Sequence, residues 1–391
     1  MTRSWRIGGK EYEYLRQVLD SGFPGSASVS FTAKLEAAFA EKFDCRYAIS
    51  HANGTATLHS ALAAAGVGPG DEVIVPPLTM ASTSLAVLHQ NAVPVFADID
   101  PETFLIDPES VRRQITPRTR AVITVALYGL SPDMDPIMEL ADKHGLVVIE
   151  DDAQCFLGRY KGRIVGSIGH MASFSFQNTK HITCGEGGMI TTNSPEYADR
   201  VAKFASLGYG LVGAGAGKSK IDKRAIVRPD FKRHVSLGFN YRMSDLCAAV
   251  LLAQLERLEE FVAWRQRAAT ALDQAVRSCN WLKPQRVPED CQHSCWAYAV
   301  RLPGSGDGPT WDQFFDKLVE LGGDWFYGAW GLTYLEPVFQ NGAVGRKYEP
   351  GICPVAEQIQ PRLMQFKTNY GDRETINRQA EVLARTIRYF D

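Results

Sequence analysis

Between about residues 47 and 192, short apolar runs alternate with stretches of helical periodicity. The runs fall at 47–50, 72–75, 93–98, 121–127, 146–149, 172–176 and 188–192. Between them, Leu58, Ala61, Leu62 and Ala65 keep i, i+3, i+4, i+7 spacing, and 134–144 forms a second short amphipathic helix. Strand and helix in alternation predict a mostly parallel seven-stranded sheet between helices, a single large α/β domain. From residue 245 onward Leu251, Leu255, Leu258 and Val262 extend a stripe along one long charged helix. It lacks the sustained heptads of a coiled coil, so a helix bridging two domains is the simpler reading. Beyond it a strand at 296–302 and a helix at 311–321 indicate a smaller α+β domain. The expected division is 1–245, including an N-terminal segment, and 246–391.

Length supports two domains, because 391 residues exceed what one hydrophobic core usually holds. A formal charge of −2 gives no overall attraction to nucleic acid or to an anionic membrane. Apolar stretches stay well short of the roughly 20 residues needed to span a bilayer. No signal-like segment follows Met1, so a cytoplasmic protein is expected. Cysteines 45, 155, 184, 247, 279, 291, 295 and 353 stand singly, without Cys-x-x-Cys spacing, and read as reduced, mostly buried thiols with no metal site.

The stretch 173–188 carries the chemistry. Lys180 lies between two strand-like runs, and a lysine becomes a nucleophile near neutral pH when its surroundings favour the free amine. Upstream, an apolar run ends in Glu150-Asp151-Asp152-Ala153-Gln154, carboxylates at the strand edge where α/β sheets bind ligands. An acid there holds a pyridine nitrogen protonated while a lysine carries an imine, the pairing a pyridoxal phosphate enzyme needs. Glu150 and Asp152 compete for the role; spacing to Gln154 favours Asp151. The passage from strand 47–50 through Asn53-Gly54-Thr55 into a helix is an anion site in form, or simply a capped helix start. Ser175 is either a phosphate donor or an ordinary strand hydroxyl. The glycines and basic residues of 208–234, including Lys218, Lys220, Lys223, Arg224, Arg228, Lys232 and Arg233, suit either a diphosphate or solvent. His51, His59, His89, His144 and His170 share no pattern.

These residues, with Gly70-Asp71-Glu72, Asp98-Ile99-Asp100, Gly238-Phe239-Asn240-Tyr241-Arg242 and Cys353-Pro354-Val355-Ala356-Glu357, resemble the DegT/DnrJ/StrS family of sugar aminotransferases over nearly the whole chain. The resemblance implies the fold type I architecture of aspartate aminotransferase. Lys180 would bind pyridoxal 5'-phosphate (PLP) and shuttle the proton, Asp151 would pair with the pyridine nitrogen, and Gln154 would sit near the cofactor oxygen. Gly54, Thr55 and Ser175 would grip the phosphate. Asn240 would reach the phosphate in the neighbouring subunit, implying a homodimer with shared active sites. Met80 replaces a stacking aromatic of many relatives, and Ala126 a common histidine.

The implied reaction is amino transfer from glutamate or glutamine, through the pyridoxamine (PMP) form, to a nucleotide-linked keto-deoxysugar. A keto-cyclitol is the alternative acceptor. A sugar 3-dehydratase of the same family typically carries histidine at the lysine position, so the presence of Lys180 favours transfer.

Overall fold

The computed structural model describes residues 5–23, 30–213, 224, 227–304, 308–342 and 346–391. Seven strands build the main sheet: β1 (Tyr47–His51), β2 (Glu72–Val75), β3 (Val93–Phe96), β4 (Thr119–Val125), β5 (Val147–Asp151), β6 (Met171–Ser175) and β7 (Gly188–Thr192). Their spatial order is β1-β7-β6-β5-β4-β2-β3. β7 alone pairs antiparallel with both neighbours, and the other pairings are parallel. The mostly parallel α/β architecture expected from the alternating pattern is therefore present.

Reversal of β7 has a simple origin. The loop from Phe176 to Gly187 turns straight back rather than crossing the sheet through a helix, closed by the Phe176 amide on the Gly187 carbonyl at 2.9 Å. Lys180 lies in that loop, at the sheet edge where the parallel strands end.

Central strands are apolar because helices cover both faces; every residue of β2 and β6 is buried. The helix Gly54–Ala64 is made of small and aliphatic residues nearly all round, and most of it is buried. A helix apolar on every side must be sandwiched, and this one packs on β6, β7 and the helix Pro195–Phe204. On the other side Phe39, Phe43, Phe174 and Phe176 interlock, with Phe39 and Phe43 stacked at 4.3 Å.

The smaller C-terminal domain has a four-stranded antiparallel sheet of Lys283–Pro284, Ala297–Arg301, Leu363–Lys367 and Tyr327–Gly328. Its core gathers Leu272, Val300, Phe314, Leu318, Phe366 and Leu383. The single long helix expected after residue 245 is instead two, Asp245–Leu255 and Leu258–Val276. Arg257 leaves the helical region at φ −113°, ψ 12° without Gly or Pro. Leu251, Leu255, Leu258 and Val262 join the large-domain core on both sides of the break, and only farther along the second helix do Ala269, Leu272 and Val276 join the small one. All eight cysteines are free, but only Cys155, Cys279 and Cys353 are fully buried, fewer than expected. Among the described residues, no helix is long and apolar enough to cross a membrane.

Candidate active site

A cavity of about 1090 Å³ opens at the C-terminal edge of the parallel strands and is closed on its far side by the small domain. Lys180, Asp151, Gln154, Gly54, Thr55 and Ser175 all line it. Residues from three stretches of the chain, 54–55, 151–154 and 175–180, thus meet at one place.

Strand geometry separates the three acids at 150–152. Alternate residues of a strand face opposite sides, so Asp151 is turned away from both neighbours. The Glu150 carboxylate accepts the amides of Gly166, Ile168 and Gly169 at 3.1, 2.9 and 2.7 Å, holding a turn. Asp152 is buried, its Oδ2 without a hydrogen-bond partner among the described residues, and burial, with Glu150 and Asp151 close by, raises its pKa well above the usual range. Asp151 faces the cavity, with Thr83 Oγ1 donating to Oδ2 at 2.8 Å and the Ala153 amide to Oδ1 at 3.3 Å. Burial pushes its pKa up, opposed by Thr83, Ala153 and the charge of Lys180. A buried carboxylate in this position calls for a cation in the cavity, as a protonated pyridine would be.

The Lys180 amine is depressed to about 8, first by burial; Asp151 opposes the change and Arg265 adds to it. Its Nζ lies 5.0 Å from the centroid of the Trp296 ring. A substantial fraction is therefore the free amine at neutral to mildly alkaline pH, as condensation with an aldehyde requires. His181, next in sequence, does not line the cavity; its Nε2 is bonded to the Ser294 carbonyl at 3.0 Å.

Opposite the lysine, the helix Gly54–Ala64 starts at the cavity wall. Asn53 caps it by accepting the Ala56 amide at 2.8 Å. Gly54 presses against β6 so closely that an added Cβ would stand 2.8 Å from Ser175 Cβ. Free helix-end amides, Thr55 and Ser175 make this corner a fit for a phosphate. Gln154 Oε1 accepts the Tyr128 amide at 2.7 Å, which leaves its NH2 end as a donor. Lysine, buried acid and anion corner together match the chemistry of pyridoxal phosphate.

Two groups singled out in the sequence lie away from this chain's cavity. Asn240 is exposed and does not line this chain's cavity; it stands between Phe239 and Tyr241, whose rings stack at 5.2 Å. Arg224, Arg228, Lys232 and Arg233, the described basic residues of the 208–234 segment, are also absent from the lining, and Arg228 pairs with Asp230 at 2.9 Å. Lys218, Lys220 and Lys223 lie outside the described residues. Met80 does line the cavity, half exposed, whereas Ala126 is buried against Cys155 and Val165. Trp296, Trp330, Asp324 and Tyr370 from the small domain, and Thr83 behind Asp151, were not foreseen. Apolar Trp296 at the head of a strand was the one usable signal.

This fold and cavity define a PLP-dependent aminotransferase of fold type I. Over residues 6–372 the sequence matches the DegT/DnrJ/EryC1/StrS aminotransferase family, and the chain belongs to it. It is similar to the GDP-perosamine synthase of Caulobacter vibrioides, 41% identical over 81% of each chain. It is also similar to the L-glutamine:2-deoxy-scyllo-inosose aminotransferase of Streptomyces lividus, 36% identical over 77% of this chain and 72% of that one. Among solved structures, the aminotransferase from Psychrobacter cryohalolentis superposes with a TM-score of 0.89 at 31% identity, covering 98% of both chains.

Proposed function

We propose that the enzyme moves an amino group from glutamate or glutamine to the ketone of a nucleoside-diphosphate keto-deoxysugar, in amino-sugar and polysaccharide biosynthesis. Convergence of Lys180, Asp151 and the Gly54 helix end on one cavity carries the transferase reading. Similarity to a GDP-perosamine synthase favours a GDP-linked sugar as acceptor.

Bound pyridoxal phosphate supplies the electron sink that stabilises negative charge on the reacting carbon. Asp151 would hold the ring nitrogen charged, and the Thr83 hydroxyl, bonded to Oδ2, would favour the ionised carboxylate and orient it. The amides at Gly54 and Thr55, with the Ser175 hydroxyl, would bind its phosphate, and the NH2 of Gln154 would be a donor to the cofactor ring. Nζ of Lys180 would take the proton from the donor's α-carbon as base and give up a proton as acid in the same half-reaction. Asn240, exposed on its own chain, reaches the site of a second copy, so the working form is a homodimer in the cytoplasm. The chain divides into 1–245 and 246–391, and the helix Leu258–Val276 bridges the two, its ends joining different cores.

Keto-cyclitols are the second reading, favoured by similarity to an inosose aminotransferase. Dehydration is disfavoured by Lys180 itself. The test is to incubate the PLP-loaded enzyme with glutamate or glutamine and a panel of keto nucleotide sugars and ketocyclitols, following product mass. Amination of cyclitols alone refutes the nucleotide-sugar assignment; loss of oxygen without gain of nitrogen refutes transfer.

A further inference from the structure

Arg265 has no part in the chemistry above, yet it is buried in the seam between the Lys180 loop and the small domain. One guanidinium nitrogen donates to the carbonyls of Thr179 and Lys180 at 2.9 and 3.2 Å. Another donates to the Trp296 carbonyl at 2.7 Å and to Thr368 Oγ1 at 3.2 Å. Arg6 approaches the same loop, donating to the carbonyls of Asn178, Lys180 and His181 at 2.7, 2.6 and 3.2 Å.

The acceptors matter as much as the number of bonds. All four of these Arg265 bonds end on carbonyls or a hydroxyl, none on a carboxylate. Such groups satisfy the donors of a buried guanidinium without cancelling its charge. Trp296, held through its carbonyl, also donates from its indole Nε1 to Thr179 O at 3.0 Å and places its ring 5.0 Å from the Lys180 amine. Loop, ring and small-domain strand therefore share one anchor.

We propose that Arg265 is a positioning residue for Lys180: its guanidinium ties the backbone at 179–180 to Trp296 and Thr368, and its uncancelled charge faces the amine. The proposal rests on Lys180 being the PLP lysine. The charged groups around that amine are Asp151 at the end of β5 and Arg265 from its helix, while Arg6 from the N-terminal segment bonds to the Lys180 backbone carbonyl. Glu186, Asp324, Lys367 and the titratable His89 line the same cavity. Burial lowers the amine's pKa most; Asp151 opposes that change, and Arg265 adds to it by acting against protonation.

The experiment compares Arg265→Gln and Arg265→Lys with the parent as PLP-loaded enzymes, measuring kcat, KM for glutamate and the pH midpoint of the cofactor's visible absorbance. For Arg265→Gln, misplacement of the amine should lower kcat about 100-fold with KM changed less than about threefold. Loss of the neighbouring positive charge should move the absorbance midpoint up by about one pH unit. Lysine keeps a charge but not the planar fork, so Arg265→Lys should restore most of the midpoint and leave kcat at least about tenfold low. A parental midpoint with kcat within about twofold in Arg265→Gln overturns the proposal, as does parental kcat in Arg265→Lys should the glutamine variant not fold. Borohydride reduction of the parent separates the two failures. A pyridoxyl label away from Lys180 sinks the assignment of the lysine; a label on Lys180 with unaffected variants sinks only the role of Arg265.

Discussion

Gly54→Ala is a small change with a calculable consequence. The added Cβ would lie 2.8 Å from Ser175 Cβ, 3.2 Å from its Oγ and 3.4 Å from its Cα. Carbon atoms in contact normally keep about 3.5–4.0 Å, so something must give. Ser175 belongs to a fully buried strand paired on both sides, and the start of the helix is the part free to retreat. Overpacking of this kind costs about 1–3 kcal/mol, against a helix-propensity gain of about 1 kcal/mol at most. Retreat carries the helix-end amides away from the phosphate corner. If the strain is relieved at the expense of binding, 1–3 kcal/mol weakens PLP affinity by about 5- to 150-fold. Titrating the cofactor-stripped enzyme with PLP, followed by absorbance, reads this directly. Ser175→Gly removes the colliding atoms at the cost of a hydroxyl, so the Gly54→Ala step should cost much less in that background than in the parent. An affinity within about twofold of the parent for Gly54→Ala, or an equal cost in both backgrounds, would refute the reasoning.

Thr83→Val removes the hydroxyl bonded to Asp151 and should lower kcat/KM by roughly 10- to 150-fold, since hydrogen bonds to charged groups are worth about 1.5–3 kcal/mol; an unchanged kcat/KM counts against Asp151 as the working carboxylate. With the Lys180 amine at about 8, the rate of PLP capture by stripped enzyme should rise about tenfold per pH unit below that value and level off above it. A rate still climbing past pH 9 would show an ordinary lysine. Asp98 accepts the amides of Val355 and Ala356, both at 2.9 Å, so Asp98→Ala should lose about 2–3 kcal/mol in urea unfolding while PLP affinity stays at the parental level.

The sheet was legible because central parallel strands are continuous apolar runs, and the seven runs correspond to the seven strands. The break at Glu256 and Arg257 was not, since no Gly or Pro marks it and the buried apolar positions continue across it at helical spacing. Of the site, Lys180, Asp151, Gln154 and the Asn53-Gly54-Thr55 turn could be read from local context. The distinct roles of Glu150, Asp151 and Asp152 became separable only when strand geometry gave the acids different faces. Asp98 and Cys353–Glu357 stood out as separate motifs, and the structure joins them: the Asp98 carboxylate holds the start of the helix Pro354–Ile359. Arg6, Arg265 and Trp296 bond to a loop far away along the chain. Neither periodicity nor composition records such contacts.

Reduction with borohydride, proteolysis and mass spectrometry test the central claim directly. PLP-loaded protein should carry a pyridoxyl mass on the peptide containing Lys180, and Lys180→Ala should lose both the label and amino transfer. A pyridoxyl group on another lysine, or amino transfer that survives Lys180→Ala, would contradict it.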